Sequence, residues 1–192
     1  MKINLTEKNK KDLLLLVRMT IAEKLNISMP DQKEEPDFSD PVFSEKYGAF
    51  VTLHCKGNLR GCIGYIQGYL PLKETIVEMA QSAAFHDPRF APLSVQEFPL
   101  IDIEISVLSP IEPLENFNDI VIGRDGLIAS RGRQSGLLLP QVAAEYGWSV
   151  EEFLSHTCMK GGFPADEWRS GSVGFQKFSA YVFGEKEHSE KG

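Results

Sequence analysis

The sequence predicts an α+β fold built on a largely antiparallel sheet, and three observations predict it. Short alternating runs recur along the chain, amphipathic helices stand apart from them, and no strand–helix–strand rhythm links them as a parallel sheet would require. With 192 residues and 42% hydrophobic content, the chain can bury a core of ordinary proportions in one domain, or in one domain with a small lobe. We expect a single domain over residues 1–184 and a disordered polar tail over 185–192.

Thr6 caps a predicted helix running to about Leu25, with Leu13, Leu16, Val17, Thr20, Ile21 and Lys24 at spacings of three and four. Residues Met29 to Lys46 hold Pro30, Pro36 and Pro41 among acidic residues, which predicts an irregular surface loop and a candidate partner-binding segment. AFVTLHC (Ala49–Cys55) and LRGCIGYI (Leu59–Ile66) flank KGN and read as a β-hairpin. A three-residue turn at Lys56–Asn58 would put Ala49, Val51, Leu53 and Cys55 on the core face with Leu59, Gly61, Ile63 and Tyr65. Thr52 would then oppose Cys62, and His54 would oppose Arg60. Leu72–Phe85 is an amphipathic helix opened by Pro71 and closed before Asp87-Pro88, where a helix is disfavoured. Ile101–Leu108 alternates as a half-buried strand. Turn signals at GRDG and RGRQSG separate short strands at Ile120–Ile122, Gly126–Ser130 and Gly136–Leu139. Pro140 opens a helix to Tyr146, Ser149 caps another that stops at Gly161, and Ser172–Phe183 is the closing strand.

Charge and cysteine usage exclude several functions. A net charge of −7 supplies no basic face for nucleic acid, so none is expected as a partner. MKINLTEKNKKD is charged where a secretory signal needs an apolar core, and no window reaches ~18 uninterrupted apolar residues, which predicts a cytoplasmic protein without a membrane partner. Cys55, Cys62 and Cys158 are odd in number and contain no CxxC pair, so reduced thiols and no metal site are predicted, and no cofactor is indicated. The motifs of serine hydrolases, phosphate-binding loops, zinc proteases and dinucleotide sites are missing.

Cys62 stands out, because a thiol with glycines on either side lets a ligand or a second backbone come close, and strand glycines otherwise cost stability. The candidate catalytic residues are Cys62 as nucleophile and His54 or His156 as base; the candidate substrate-binding residues are Arg60, Gly61, Gly64, His86, Arg89 and Glu145. Arg89 can clamp an anion with both arms of its guanidinium or tie its own loop through Asp87, and the tie is the simpler use. His156 and Cys158 fall on different faces of one helix, which argues against a shared metal.

LRGCIG at Leu59–Gly64 resembles the signature of the AMMECR family, also called protein A of the AmmeMemoRadiSam system. The resemblance continues through AFHDPRFAPLS, IEISVLSP, the GRDGL turn, LLLPQVAAEYGW and EEFLSHTCMKGG, nearly the whole chain. It implies a two-part α+β domain, a larger lobe around an antiparallel sheet and a smaller lobe, with a cleft lined by the LRGCIG strand. It also implies Memo-like and radical SAM proteins as partners and an unidentified small-molecule ligand, and it establishes no reaction. Some members lack the histidine and cysteine of the HTC segment, so the resemblance makes His156 no obligatory base. Two functions follow as alternatives: a cysteine-dependent enzyme, or a non-catalytic module for ligand binding or docking.

Overall fold

Thr6 accepts the Asn9 N–H and the Asn9 side chain returns a bond to the Thr6 N–H, a reciprocal cap that starts helix α1 (Glu7–Leu25). Asn26, in the left-handed region, ends it. These details come from a computed structural model, which describes residues 3–29 and 35–186. The chain divides into two compact units, residues 1–108 with 181–192, and residues 109–180.

In the first unit, strands β1 (Gly48–Cys55), β2 (Asn58–Tyr65) and β3 (Ile101–Leu108) form an antiparallel sheet in the order β2-β1-β3, so β2 is its edge. Helix α2 (Leu72–Phe85) covers the core face, where Ala49, Val51, Leu53, Ile103, Ile105 and Val107 are buried against Ile76, Met79 and Ala80. The end of strand β7 (Gly174–Gly184) continues the sheet beside β3. Just beyond it, Glu185 accepts both Arg18 Nε and Nη2 at 2.7 Å and the Ile103 N–H at 3.0 Å. Part of the segment expected as a loose tail is therefore held; residues 187–192 lie outside the described residues.

The hairpin turn differs from the expected one. Lys56 (φ 52°) and Gly57 (φ 81°) form a two-residue turn, closed by the Cys55–Asn58 pair. The shorter turn moves the register by one residue, and a bulge at Arg60 restores it, so Leu53 opposes Gly61 and Thr52 opposes Cys62 as anticipated. His54 therefore opposes Leu59 and not Arg60, and Leu59 is exposed instead of facing the core. The predicted 29–46 loop is also more structured than its prolines suggest. A 3-10 turn at Pro41–Ser44, capped by Asp40, buries Val42 and Phe43 in the first core. Residues 30–34 lie outside the described residues.

In the second unit, β5 (Asp125–Arg131) pairs with β6 (Gln134–Leu138) and with β7, and β4 (Glu112–Pro113) adds a short edge to β7. Helices α3 (Pro140–Glu145) and α4 (Val150–Lys160) pack on β5 and β6 over a separate core of Leu127, Ala129, Phe153, Leu154, Cys158 and Phe175. The strand expected at Ile120–Ile122 does not form. A 3-10 turn at Phe117–Asp119 precedes it, and Asp125 bonds back to the Val121 N–H, closing the segment into a turn. No helix among the described residues is long and apolar enough to cross a membrane.

Candidate functional site

On the sheet face opposite α2, the pairing register aligns Cys62 (β2), Thr52 (β1) and Glu104 (β3) in one row, with His54 and Asp102 in the next. Cys62 is half-buried, and its sulfur accepts a hydrogen bond from the Thr52 hydroxyl at 3.3 Å. His54 shares this face, but the hydrogen-bond partner of the sulfur is Thr52.

The main chain of Cys62 points off the sheet edge and is held by side chains of the loop after α2. Its N–H donates to Asp87 Oδ2 at 2.9 Å, and its carbonyl accepts Arg89 Nη2 at 3.2 Å. Arg89 in turn donates Nε to Asp87 Oδ1 at 2.9 Å and Nη2 to Oδ2 at 2.7 Å, while its own N–H caps Oδ1. The carboxylate and guanidinium thus serve the edge strand as a neighbouring strand would, and leave it no free main-chain pair at this point. The Asp87 side chain is 1% exposed, and the Arg89 guanidinium bonded to it, with the Cys62 and Arg89 N–H groups, outweighs the burial and holds its carboxyl well below the usual carboxylate range. The tie between Arg89 and Asp87 is the simpler use anticipated for this arginine. Its side chain nevertheless remains 52% exposed.

Arg60 turns to the same loop. Its Nε and Nη2 bind Glu97 at 2.8 and 3.2 Å, and Nη2 also reaches the Ala91 carbonyl. Its Nη1 is buried without a hydrogen-bond partner. Glu97 also accepts the Ser94 N–H and hydroxyl; the Arg60 bond first, and then Ser94, lower its carboxyl to about 2. Both arginines lie over the Phe90 ring, at 5.8 and 5.5 Å from its centroid.

The glycines of this strand have structural occupants. A Cβ on Gly61 would stand 2.1 Å from the Ala83 carbonyl oxygen of α2, and one on Gly64 would stand 2.2 Å from the Phe50 ring. The space at these positions is taken by the protein's own backbone and side chain.

His86 caps the end of α2 through its main chain and is exposed. His156 and Glu145 belong to the second unit. There His156 stacks on Trp148 at 3.9 Å, and Trp148 on Tyr146 at 5.1 Å, while Glu145 is exposed at the end of α3. Cys158 is fully buried, and burial pushes its thiol up, which leaves it inert. Among the described residues no cluster of histidine, cysteine and carboxylate side chains is placed to hold a metal ion.

Sequence reasoning did not assign a role to Thr52, Glu97 or Ser94. The signal for the last two is present as Ser94-Val-Gln-Glu97, a capping-box spacing. The Thr52 contact follows from the register once Cys62 is the focus.

A family comparison matches AMMECR1 over residues 14–183. The chain belongs to the AMMECR1 family. A Methanothermobacter thermautotrophicus protein is 46% identical over 183 residues, covering 90% of this chain and 92% of that one, and protein MJ0810 of Methanocaldococcus jannaschii is 48% identical over 154 residues, covering 76% and 77%. The crystal structure of uncharacterized protein PH0010 from Pyrococcus horikoshii matches with a TM-score of 0.79 at 41% identity, covering 91% of this chain and 90% of that chain. Those matches support the α+β fold for this AMMECR1 member as well as its family.

Proposed function

We propose that this AMMECR1-family chain is a thiol-dependent protein, in which Cys62 is the nucleophile toward an anion-bearing small molecule or modified macromolecule. The observation that carries this reading is the Thr52 hydroxyl aimed at a half-buried sulfur, since a donor there stabilises negative charge on the attacking atom. Arg89 supports it with an anchored yet half-exposed guanidinium, suited to the anionic part of a substrate. His54 is the base on the same sheet face. His86, exposed at the end of α2, is assigned to the substrate's periphery. In this reading the protein works in the cytoplasm with Memo-like and radical SAM partners.

Iodoacetamide labelling of the folded chain at neutral pH, with peptide mapping, tests the proposal. Cys62 should label faster than the same thiol in the urea-unfolded chain, and Cys158 should not label until unfolding. Labelling of Cys62 no faster than in the unfolded chain would remove the nucleophile.

A second reading, a non-catalytic docking module, is favoured by the crowding at Gly61 and Gly64 and by the clamp on the Cys62 main chain, which account for much of LRGCIG without chemistry. Under it, Cys62→Ser retains binding to a Memo-like protein in a pull-down. Loss of binding by a folded variant contradicts it.

A further inference from the structure

The clamp on Cys62 bears on which reaction its sulfur can perform. Thiol enzymes that attack a carbonyl collect negative charge on the carbonyl oxygen, and the N–H of the nucleophile's own residue is a common donor to it. Here that N–H is already given to Asp87 Oδ2 at 2.9 Å. The Asp87 side chain is 1% exposed and carries the Arg89 guanidinium on both oxygens, so it is an ionised, firmly held acceptor. The neighbouring amides offer no replacement. Cys62 turns its main chain off the edge of the sheet, so the alternation of an antiparallel pair turns the groups of Gly61 and Ile63 inward to Leu53 and Val51. What remains around Cys62 is a hydroxyl donor to its sulfur, Thr52, and a positive charge at its carbonyl, Arg89, whose Nη1 takes no part in the clamp and whose side chain is 52% exposed.

We infer that Cys62 reacts by in-line displacement, at a disulfide sulfur or at a saturated carbon bearing a leaving group, and that its substrate carries a negative charge next to the reacting atom. This rests on the thiol reading above. In the step, the Cys62 thiolate forms a bond to the attacked atom as that atom's bond to its leaving group breaks, and the electron pair departs with the leaving group. With a disulfide the products are a mixed disulfide on Cys62 and a free thiolate, with no other oxidant consumed. Displacement places no new charge on a carbonyl oxygen, so it needs no amide donor, and the leaving anion and the anionic substituent both gain from Arg89.

The test sets two probes against the intact chain, with Cys62→Ser and a peptide of residues 59–64 as references. A dianionic aromatic disulfide, dithiobis-nitrobenzoate, should modify Cys62 about tenfold faster than the peptide thiol, with the excess falling as salt is added. Para-nitrophenyl acetate should release nitrophenolate no faster than with the peptide, and no burst should distinguish the wild type from Cys62→Ser. A Cys62-dependent nitrophenolate burst overturns the inference and leaves the thiol reading standing. A disulfide rate no greater than the peptide's, together with an ester rate no greater, overturns both.

Discussion

Each unit of the molecule contains a buried aspartate bound by a nearby arginine, and the two differ in how far they reach. In the second unit Asp125, 2% exposed, accepts Arg124 Nε and Nη2 at 2.7 and 2.6 Å and returns to the Val121 N–H four residues back. Its main-chain work is local: it closes the turn that carries the chain into β5, and beyond that turn it accepts a long 3.5 Å bond from the Ser179 hydroxyl of β7. In the first unit Asp87 holds its own loop through the Arg89 N–H and reaches across 25 residues to the Cys62 N–H on the edge of a different element. The same chemical pair therefore makes a turn in one place and a tertiary lock in the other. The lock sits against the thiol that, among the described residues, has a side-chain donor on its sulfur.

The difference can be broken first at the aspartates. Asp87→Ala leaves the Cys62 and Arg89 N–H groups unpaired and a guanidinium without its partner, and we expect a loss of about 3 kcal/mol in urea unfolding. Asp125→Ala leaves one main-chain donor, the Val121 N–H, unpaired and removes the long bond from Ser179, and should cost less, about 1 to 2 kcal/mol. Equal costs would mean that reach does not matter. Between them falls Gly61→Ala, which drives a methyl toward the Ala83 carbonyl at 2.1 Å and should cost about 2 kcal/mol as strand and helix separate. A cost near zero would show that β2 and α2 are free to part.

How much of this was legible in the sequence follows the same division. The local elements were: Thr6 and Ser149 mark helix starts through their caps, α2 begins and ends at Pro71 and before Asp87-Pro88, and GRDG announces its turn. The Thr52–Cys62 pairing is legible despite a wrong turn length, because the bulge at Arg60 cancels the error beyond it and confines it to the turn end of the hairpin, His54 and Cys55 on β1 and Asn58 to Arg60 on β2. The surface loop hid Val42 and Phe43 in the core, since two apolar residues among prolines carry no periodicity. The Asp87–Cys62 bond was not legible. Nothing in either segment records which strand edge a loop will cover, and the partners meet only after β2 and α2 have packed. The Arg60–Glu97 pair was hidden for the same reason, although the Ser94–Glu97 spacing marked the loop that receives it.

The smallest expected effect is the acid behaviour of that pair. Glu97 has its carboxyl lowered from 4.5 to about 2, so its contribution is fully present above the unfolded value and is lost as pH falls from about 4.5 toward 2. Asp87 is depressed too and adds to the same acid-side loss, with the same sign. Glu97→Gln should cost no more than about 1 kcal/mol at neutral pH, and its stability should fall less steeply than the wild type's across that acid window. Superimposable pH curves would assign the acid sensitivity to Asp87 and other carboxylates.

Amide hydrogen exchange at Cys62 tests the central claim most directly, because Cys62 lies on the outer edge of a sheet where an unpaired N–H exchanges quickly. With the N–H held by a buried carboxylate, it should exchange as slowly as the amides of β1, and Asp87→Asn should retain more of that protection than Asp87→Ala. Exchange in the wild type as fast as at an open strand edge would contradict the lock and the reaction class inferred from it.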